Sequence, residues 1–174
     1  MKASDEQAFR EYVTARMPAL LRTAYLLCGD WHRAEDIVST AIVKLYTAWH
    51  RANRAEHIDA YVRQIVVRVW LDERRRPWRR EHATATLPEL QIEHALDTTA
   101  VRRADLQHLL ARMPSRQRAV LVLRFYDDLS IEQTAEILGC SIGAVKTLTS
   151  RALTTIRRLL PAGVTTLNEL EGSP

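Results

Sequence analysis

Apolar side chains recur at helical spacing along most of the chain. Over residues 5–28, Phe9, Val13, Met17, Leu20, Leu21 and Ala24 share one face, and Pro18 predicts a kink or a second start inside that stretch. Gly29 is placed to end this helix, and Asp30 to cap the next, which should run to about His50. Its apolar stripe is Ala34, Ile37, Val38, Ala41, Leu45 and Trp49; its other face shows Asp36, Ser39, Thr40, Val43 and Lys44. After a basic loop over 51–57, a third helix should bury Ile58, Val62, Ile65, Val66 and Val69. Its open side carries Arg63, Arg68 and Asp72, with Asp72 one turn after Arg68 and able to pair with it, and then the run Arg74–Arg76. Trp31, Trp49 and Trp70 are expected in the core, whereas Trp78, beside five arginines, is the aromatic expected to be exposed.

Residues 82–101 lose this periodicity and read as a linker. Beyond it, Leu106, Leu109 and Leu110 begin a short helix that stops at Met113-Pro114. Ser115 should cap a helix through Tyr126 whose run Ala119–Leu123 is buried. Ser130 to Gln133 forms a capping box, opening a short helix that ends at Leu138-Gly139. Ser141 caps the last long helix, which has Val145, Leu148, Ala152, Ile156 and Leu159 inside and Gly143, Lys146, Thr147, Ser150 and Arg151 outside; Pro161 and Gly163 stop it near Leu160. The expected fold is all-α: two small helical modules, 1–81 and 104–161, joined by a flexible linker over 82–103 and followed by a mobile tail over 162–174. Only five glycines, and no Asn-Gly or Asp-Gly pair, leave little sign of hairpins.

Charge sharpens this division. Residues 51–81 carry nine Arg against five acids, 82–101 carry three acids and no Lys or Arg, and 104–161 carry eight basic groups against five acids. Two basic modules around an acidic connector suit two contacts with nucleic acid. Chemistry is harder to find: no Ser-His-Asp set, paired carboxylates or Gly-rich phosphate loop appears, and the six His show no ligand spacing. Neither a catalytic residue, a metal nor a cofactor is expected. Cys28 and Cys140 read as separate thiols of a reducing compartment. The polar N-terminus, with Arg22 interrupting the apolar run, predicts neither a signal peptide nor a membrane span, and hence a cytoplasmic protein.

The stretch Leu129–Arg158 has the form of a helix-turn-helix: a short capped helix, a tight turn at Cys140-Ser141, and a longer helix whose outer face is small, polar and cationic. Lys146 and Arg151 can donate to guanine or phosphate, and Thr147 and Ser150 can approach base edges. Three readings accommodate such a module: a promoter-recognition factor, a dimeric helix-turn-helix repressor, and a protein-binding regulator that mimics the first.

The flanking segments favour the first. Leu110–Arg118 (LARMPSRQR) resembles the opening of region four of sigma factors, and Leu129–Thr147 (LSIEQTAEILGCSIGAVKT) resembles its DNA-binding core. Arg22–Asp30 (RTAYLLCGD), Ala34–Val38 (AEDIV), Lys44–Trp49 (KLYTAW) and Tyr61–Arg68 (YVRQIVVR) on to Arg76 resemble region two. With no other region present, the chain is similar to the extracytoplasmic-function class of the sigma-70 family, in particular its actinobacterial SigE-like branch. The resemblance implies core RNA polymerase as partner, through the β′ clamp and the β flap, with promoter DNA, an anti-sigma factor as a further candidate partner, and a monomer when free. Asp36, Ser39, Val43 and Lys44 would face the clamp. Arg51, Arg54, Arg68 and Asp72 would hold the −10 strand, with Arg63, Arg74, Arg75 and Arg76 near phosphates. Arg124, Lys146, Thr147, Ser150 and Arg151 would read the −35 element. The acids Glu89, Glu93 and Asp97 of the linker would line the channel that nascent RNA later fills. The chain departs from the family at Ser39-Thr40, where Gln-Glu is common, at Arg68, where Asn is usual, and at Ala144 and Leu148, where Thr and Arg are usual.

Overall fold

The computed structural model describes residues 3–53, 57–75 and 106–160. The linker and tail expected at 82–103 and 162–174, together with Trp78, lie outside the described residues. Every described element is helical: α1 (Ala3–Cys28), α2 (Trp31–Ala52), α3 (Ile58–Arg75), α4 (106–111), α5 (Ser115–Leu121), α6 (Ile131–Leu138) and α7 (Ile142–Leu159). A π-helical turn, Val122–Tyr126, continues α5.

Helix α1 passes through Pro18 as one element. The proline faces solvent, so the missing N–H costs one ladder bond without opening the core. Gly29 then takes φ +81° while its N–H donates to the Tyr25 carbonyl, and Asp30 accepts from the Arg33 N–H at 2.8 Å to start α2. The α2 stripe is buried in full, from Ala34 to Ala52. It packs with Leu20, Ala24 and Leu27 of α1 and with Val62, Val66, Val67 and Trp70 of α3. Trp31 departs from expectation. It is 49% exposed, because it stands at the open first turn of α2 and stacks flat on Tyr25 at 4.2 Å instead of entering the core. Trp49 and Trp70 are buried as their periodicity requires.

In the second module Pro114, not Ser115, occupies the cap of α5, and no side chain caps that helix. Its ring holds φ at −55°, so the chain has already turned and Ser115 lies inside the first turn. Ala119–Leu123 are buried, as expected. The turn that follows is wide: Asp127 N–H donates to the Val122 carbonyl at 2.9 Å and Leu129 N–H to Leu123 at 3.0 Å. Ser130 and Gln133 complete a reciprocal capping box on α6, and Gly139 closes it at φ +61°.

The two modules share a joint. Helix α3 packs on α6, and α1 packs on α5 and its π turn, so the buried apolar side chains form one continuous cluster. Arg118 sits in that joint, 3% exposed and with its guanidinium 5.8 Å from the centre of the Trp70 ring. Nη1 donates to the Leu27 carbonyl at 2.7 Å and Nη2 to Ala111 at 2.8 Å, with Met113 at 3.5 Å. Burial, and after it the nearby Arg74 charge, brings its pKa down to about 10, which still leaves it charged at neutral pH. Three carbonyls therefore depend on one cation. Arg118→Met should lower unfolding free energy by about 2–4 kcal/mol, since apolar volume is kept but those acceptors lose their donor. Denaturant titration should show the loss, and Arg118→Lys should recover only part of it, because an ammonium cannot reproduce the planar fork.

Candidate nucleic-acid interface

The outer face of α7 is built from underneath. Val145 and Ala152 are buried, and Thr155 is buried by donating to Gln117 Oε1 at 2.8 Å. This pins the helix with the opposite face outward, and Gly143, Lys146, Thr147, Ser150 and Arg151 are all exposed. Ser141 accepts from the Ala144 N–H at 3.1 Å, fixing where α7 begins. Between α7 and the start of α6 lies an open cleft of about 320 Å³, with Arg124, Lys146 and Arg157 around Ser150 and Thr149. Arg124 donates to the Leu129 carbonyl, so it braces the loop before α6 while lining this cleft. Arg157, three turns beyond Lys146 on the same edge, was not singled out from sequence. Its place at i+4, i+7 and i+11 with Ser150 and Leu153 was the available signal.

The outer face of α2 is equally open. Asp36, Ser39, Val43 and Lys44 are exposed, with Thr40 and Thr47 beside them. Neither Asp36 nor Lys44 enters an ion pair among the described residues. Val43 is 65% exposed, and Tyr46, which sequence reasoning left out, adds an aromatic ring to the same face.

The residues expected at the −10 element divide. Arg68 and Asp72 are exposed on α3 but do not pair with each other, contrary to the sequence expectation. The order is the weaker one for a helix, with the cation N-terminal to the acid, and an exposed pair gains little to begin with. Arg63 is not on the open side. It is half-buried with Nε 3.7 Å from Asp127 Oδ2, because α3 turns this edge toward the second module. Burial pushes the Asp127 carboxyl up, while a 2.9 Å bond from Thr23 Oγ1 and the Arg63 charge oppose that shift. Arg51 is exposed at the end of α2. Arg54, Arg76 and the side chain of Arg75 lie outside the described residues. Cys28 and Cys140 are separate, half-buried thiols. No group of side chains among the described residues could hold a metal, and no described helix is long and apolar enough to cross a membrane.

Residues 12–80 match the model of sigma-70 region 2, and residues 103–156 match that of sigma-70 region 4. Over 154 residues the chain is 36% identical to the RNA polymerase sigma-E factor of Streptomyces coelicolor, spanning 88% of this chain and 86% of that one. This chain belongs to the sigma-70 family. It is a sigma factor of the extracytoplasmic-function class, which works with core RNA polymerase on promoter DNA. A more distant relative is the ECF RNA polymerase sigma factor SigW of Bacillus subtilis, 24% identical over 173 residues and covering 92% of each chain. In fold, this sigma factor resembles RpoE of Bartonella quintana in complex with the anti-sigma factor NepR. The TM-score is 0.72 at 23% identity, over 90% of this chain and 99% of that one.

The exposed cations of α7 can be tested singly. Lys146→Ala and Arg151→Ala should each weaken binding to promoter duplex. A base contact should cost about 1–3 kcal/mol and relax preference at one position, whereas a phosphate contact should weaken all sequences alike and flatten the salt slope by about one. Titrations over a duplex library at several salt concentrations separate the two.

Proposed function

We propose that residues 1–81 dock on the polymerase and open the −10 region, while residues 104–161 hold the −35 element as duplex. The observation that carries this is the α7 face: Lys146, Thr147, Ser150 and Arg151 stand exposed above a buried inner stripe, on a helix capped at Ser141 behind a capped α6. A major groove accepts that combination. Arg124 contributes from the π turn that continues α5. In the first module, Asp36, Ser39, Val43 and Lys44 form the surface for the β′ clamp, and the second module meets the β flap. Arg51, Arg54, Arg68, Asp72, Arg75 and Arg76 serve the −10 strand, joined by Arg63 once it is released from Asp127. The acidic connector 82–103 spans between the two sites.

Strand opening in this scheme needs no chemistry of the protein's own. An unpaired base caught in a pocket offsets the loss of stacking, and phosphodiester formation belongs to the polymerase. The protein therefore acts as a binding factor, not an enzyme, in the cytoplasm where the polymerase works. An anti-sigma protein belongs to the same reading, supported by the Bartonella relative of like fold being held in such a complex.

Run-off transcription with core polymerase on genomic fragments, with start sites mapped, tests the proposal; discrete starts that need this chain are expected, and none would refute it. Asp36→Arg reverses a charge without touching the α2 stripe, so the folded variant should lose co-purification with core polymerase. Arg68→Asn restores the residue usual in the family. On a promoter library randomised at −10 it should change base preference at one or two positions, since Arg only donates whereas Asn also accepts. A uniform loss that deepens with salt would instead mark Arg68 as a phosphate contact.

A further inference from the structure

The open cleft beside α7 holds more charge than the groove-facing row of that helix accounts for. Lys146, Thr149, Ser150, Leu153 and Arg157 line it at the spacing of one helix edge, and Arg124 and Ile131 line the side opposite. Three cations therefore meet in one recess. Ile131 and Leu153 make part of its lining apolar, so water screens those charges less than it would on an open face. Arg124 is already ordered, because it donates to the Leu129 carbonyl. Thr149 Oγ1 donates to the Val145 carbonyl at 2.8 Å, which leaves Ser150 as the hydroxyl that can donate into the cleft. Glu132 is the nearby carboxylate. Its own backbone amide and the Ser130 hydroxyl, and after them the charges of Arg124 and Lys146, hold its pKa below the ordinary value. Three cations against one acid leave the recess positive.

Guanidinium groups and a hydroxyl converging on one recess match the acceptor oxygens of a phosphodiester. Position along α7 says which phosphodiester. Arg157 follows Lys146 by eleven residues, about 16 Å along a helix at 1.5 Å per residue. A major groove is only about 12 Å wide. With Lys146 among the bases, Arg157 has therefore passed the floor of the groove and stands at its wall, where the sugar-phosphate strand runs.

We propose that this cleft seats a backbone phosphate of duplex DNA at the border of the −35 element, and that Arg157 is the positioning residue that holds it. The inference rests on the −35 role given to α7 under Proposed function. Lys146 belongs both to the groove-facing row and to the cleft, so a phosphate held there sets how far and at what angle α7 enters the groove. Such a contact carries no base information. Arg157 thus adds affinity without adding sequence preference, and its contribution fades with salt.

Because the contact ignores sequence, a mixed-sequence duplex titrated with the full chain at several salt concentrations tests it. Arg157 is exposed, so Arg157→Ala leaves the buried stripe of α7 intact. Losing one phosphate contact should flatten the salt slope by about 0.9, so that between 50 and 200 mM salt the parent weakens about 3.5-fold more than the variant. Arg157→Lys should keep the parent slope. Arg158→Ala makes the same change in net charge at an exposed position that does not line the cleft, and should flatten the slope less. Equal flattening by the Arg157 and Arg158 variants would reduce the effect to overall charge and overturn the seat. A scan of single methylphosphonate substitutions should find one position that weakens the parent but not Arg157→Ala; the absence of any such position would overturn the contact. Inorganic phosphate, added at constant ionic strength, checks for a free anion. If it binds the parent while Arg157→Ala leaves duplex affinity and slope unchanged, the cleft is a free-anion site and the proposal fails. Run-off transcription with core polymerase keeps the two readings apart. Discrete starts from an Arg157→Ala chain with an unchanged slope would sink the seat and leave the promoter role standing, whereas no starts from the parent would sink the promoter role while the slopes still decide the phosphate contact.

Discussion

Among the described residues, no carboxylate faces Arg118. Its guanidinium is held by carbonyls alone, one of them in the last turn of α1, where the helix dipole presents partial negative charge. That arrangement is stable only if the end of α1, the turn after α4 and the start of α5 converge on one point, and only if Trp70 closes it from the side. The relative placement of the two modules follows from this. Apolar contact between α3 and α6 would tolerate sliding, whereas a planar donor group with several acceptors does not.

Outward faces are the complement of this inner order. Helices α2 and α7 each bury one stripe, and each leaves a row of short polar, cationic and occasional apolar side chains in water. On α7 the row is small enough for a groove. On α2 it mixes Asp36 and Lys44 with Val43 and Tyr46, a composition suited to a protein surface rather than to phosphate. Two helices of similar length are therefore distinguished by what their exposed positions carry.

Much of this was legible in the order of residues. The caps at Asp30, Ser130 and Ser141 and the ends at Gly29 and Gly139 are local matters, settled within three or four residues by side-chain oxygens and left-handed glycines. The stripes of α2 and α7 are periodic, and periodicity alone assigns their two faces. Local rules also erred where two of them competed. Pro114 displaced Ser115 as the cap of α5, and Trp31, apolar by type, stayed at a helix end where no layer covers it.

The sequence by itself determined the helices, their caps, and which residues α2 and α7 present to solvent, because those depend on neighbours within a turn or two. It also carried the sigma-70 motifs, since they reside in the same short segments. Only the tertiary structure decided that Arg63 faces Asp127, that Arg68 and Asp72 do not pair with each other, and that Arg118 joins the modules. Arg63 and Asp127 are separated by more than sixty positions, and either could equally have met water. Burial in a shared joint made them partners, and no pattern along the chain encodes which surfaces come together there.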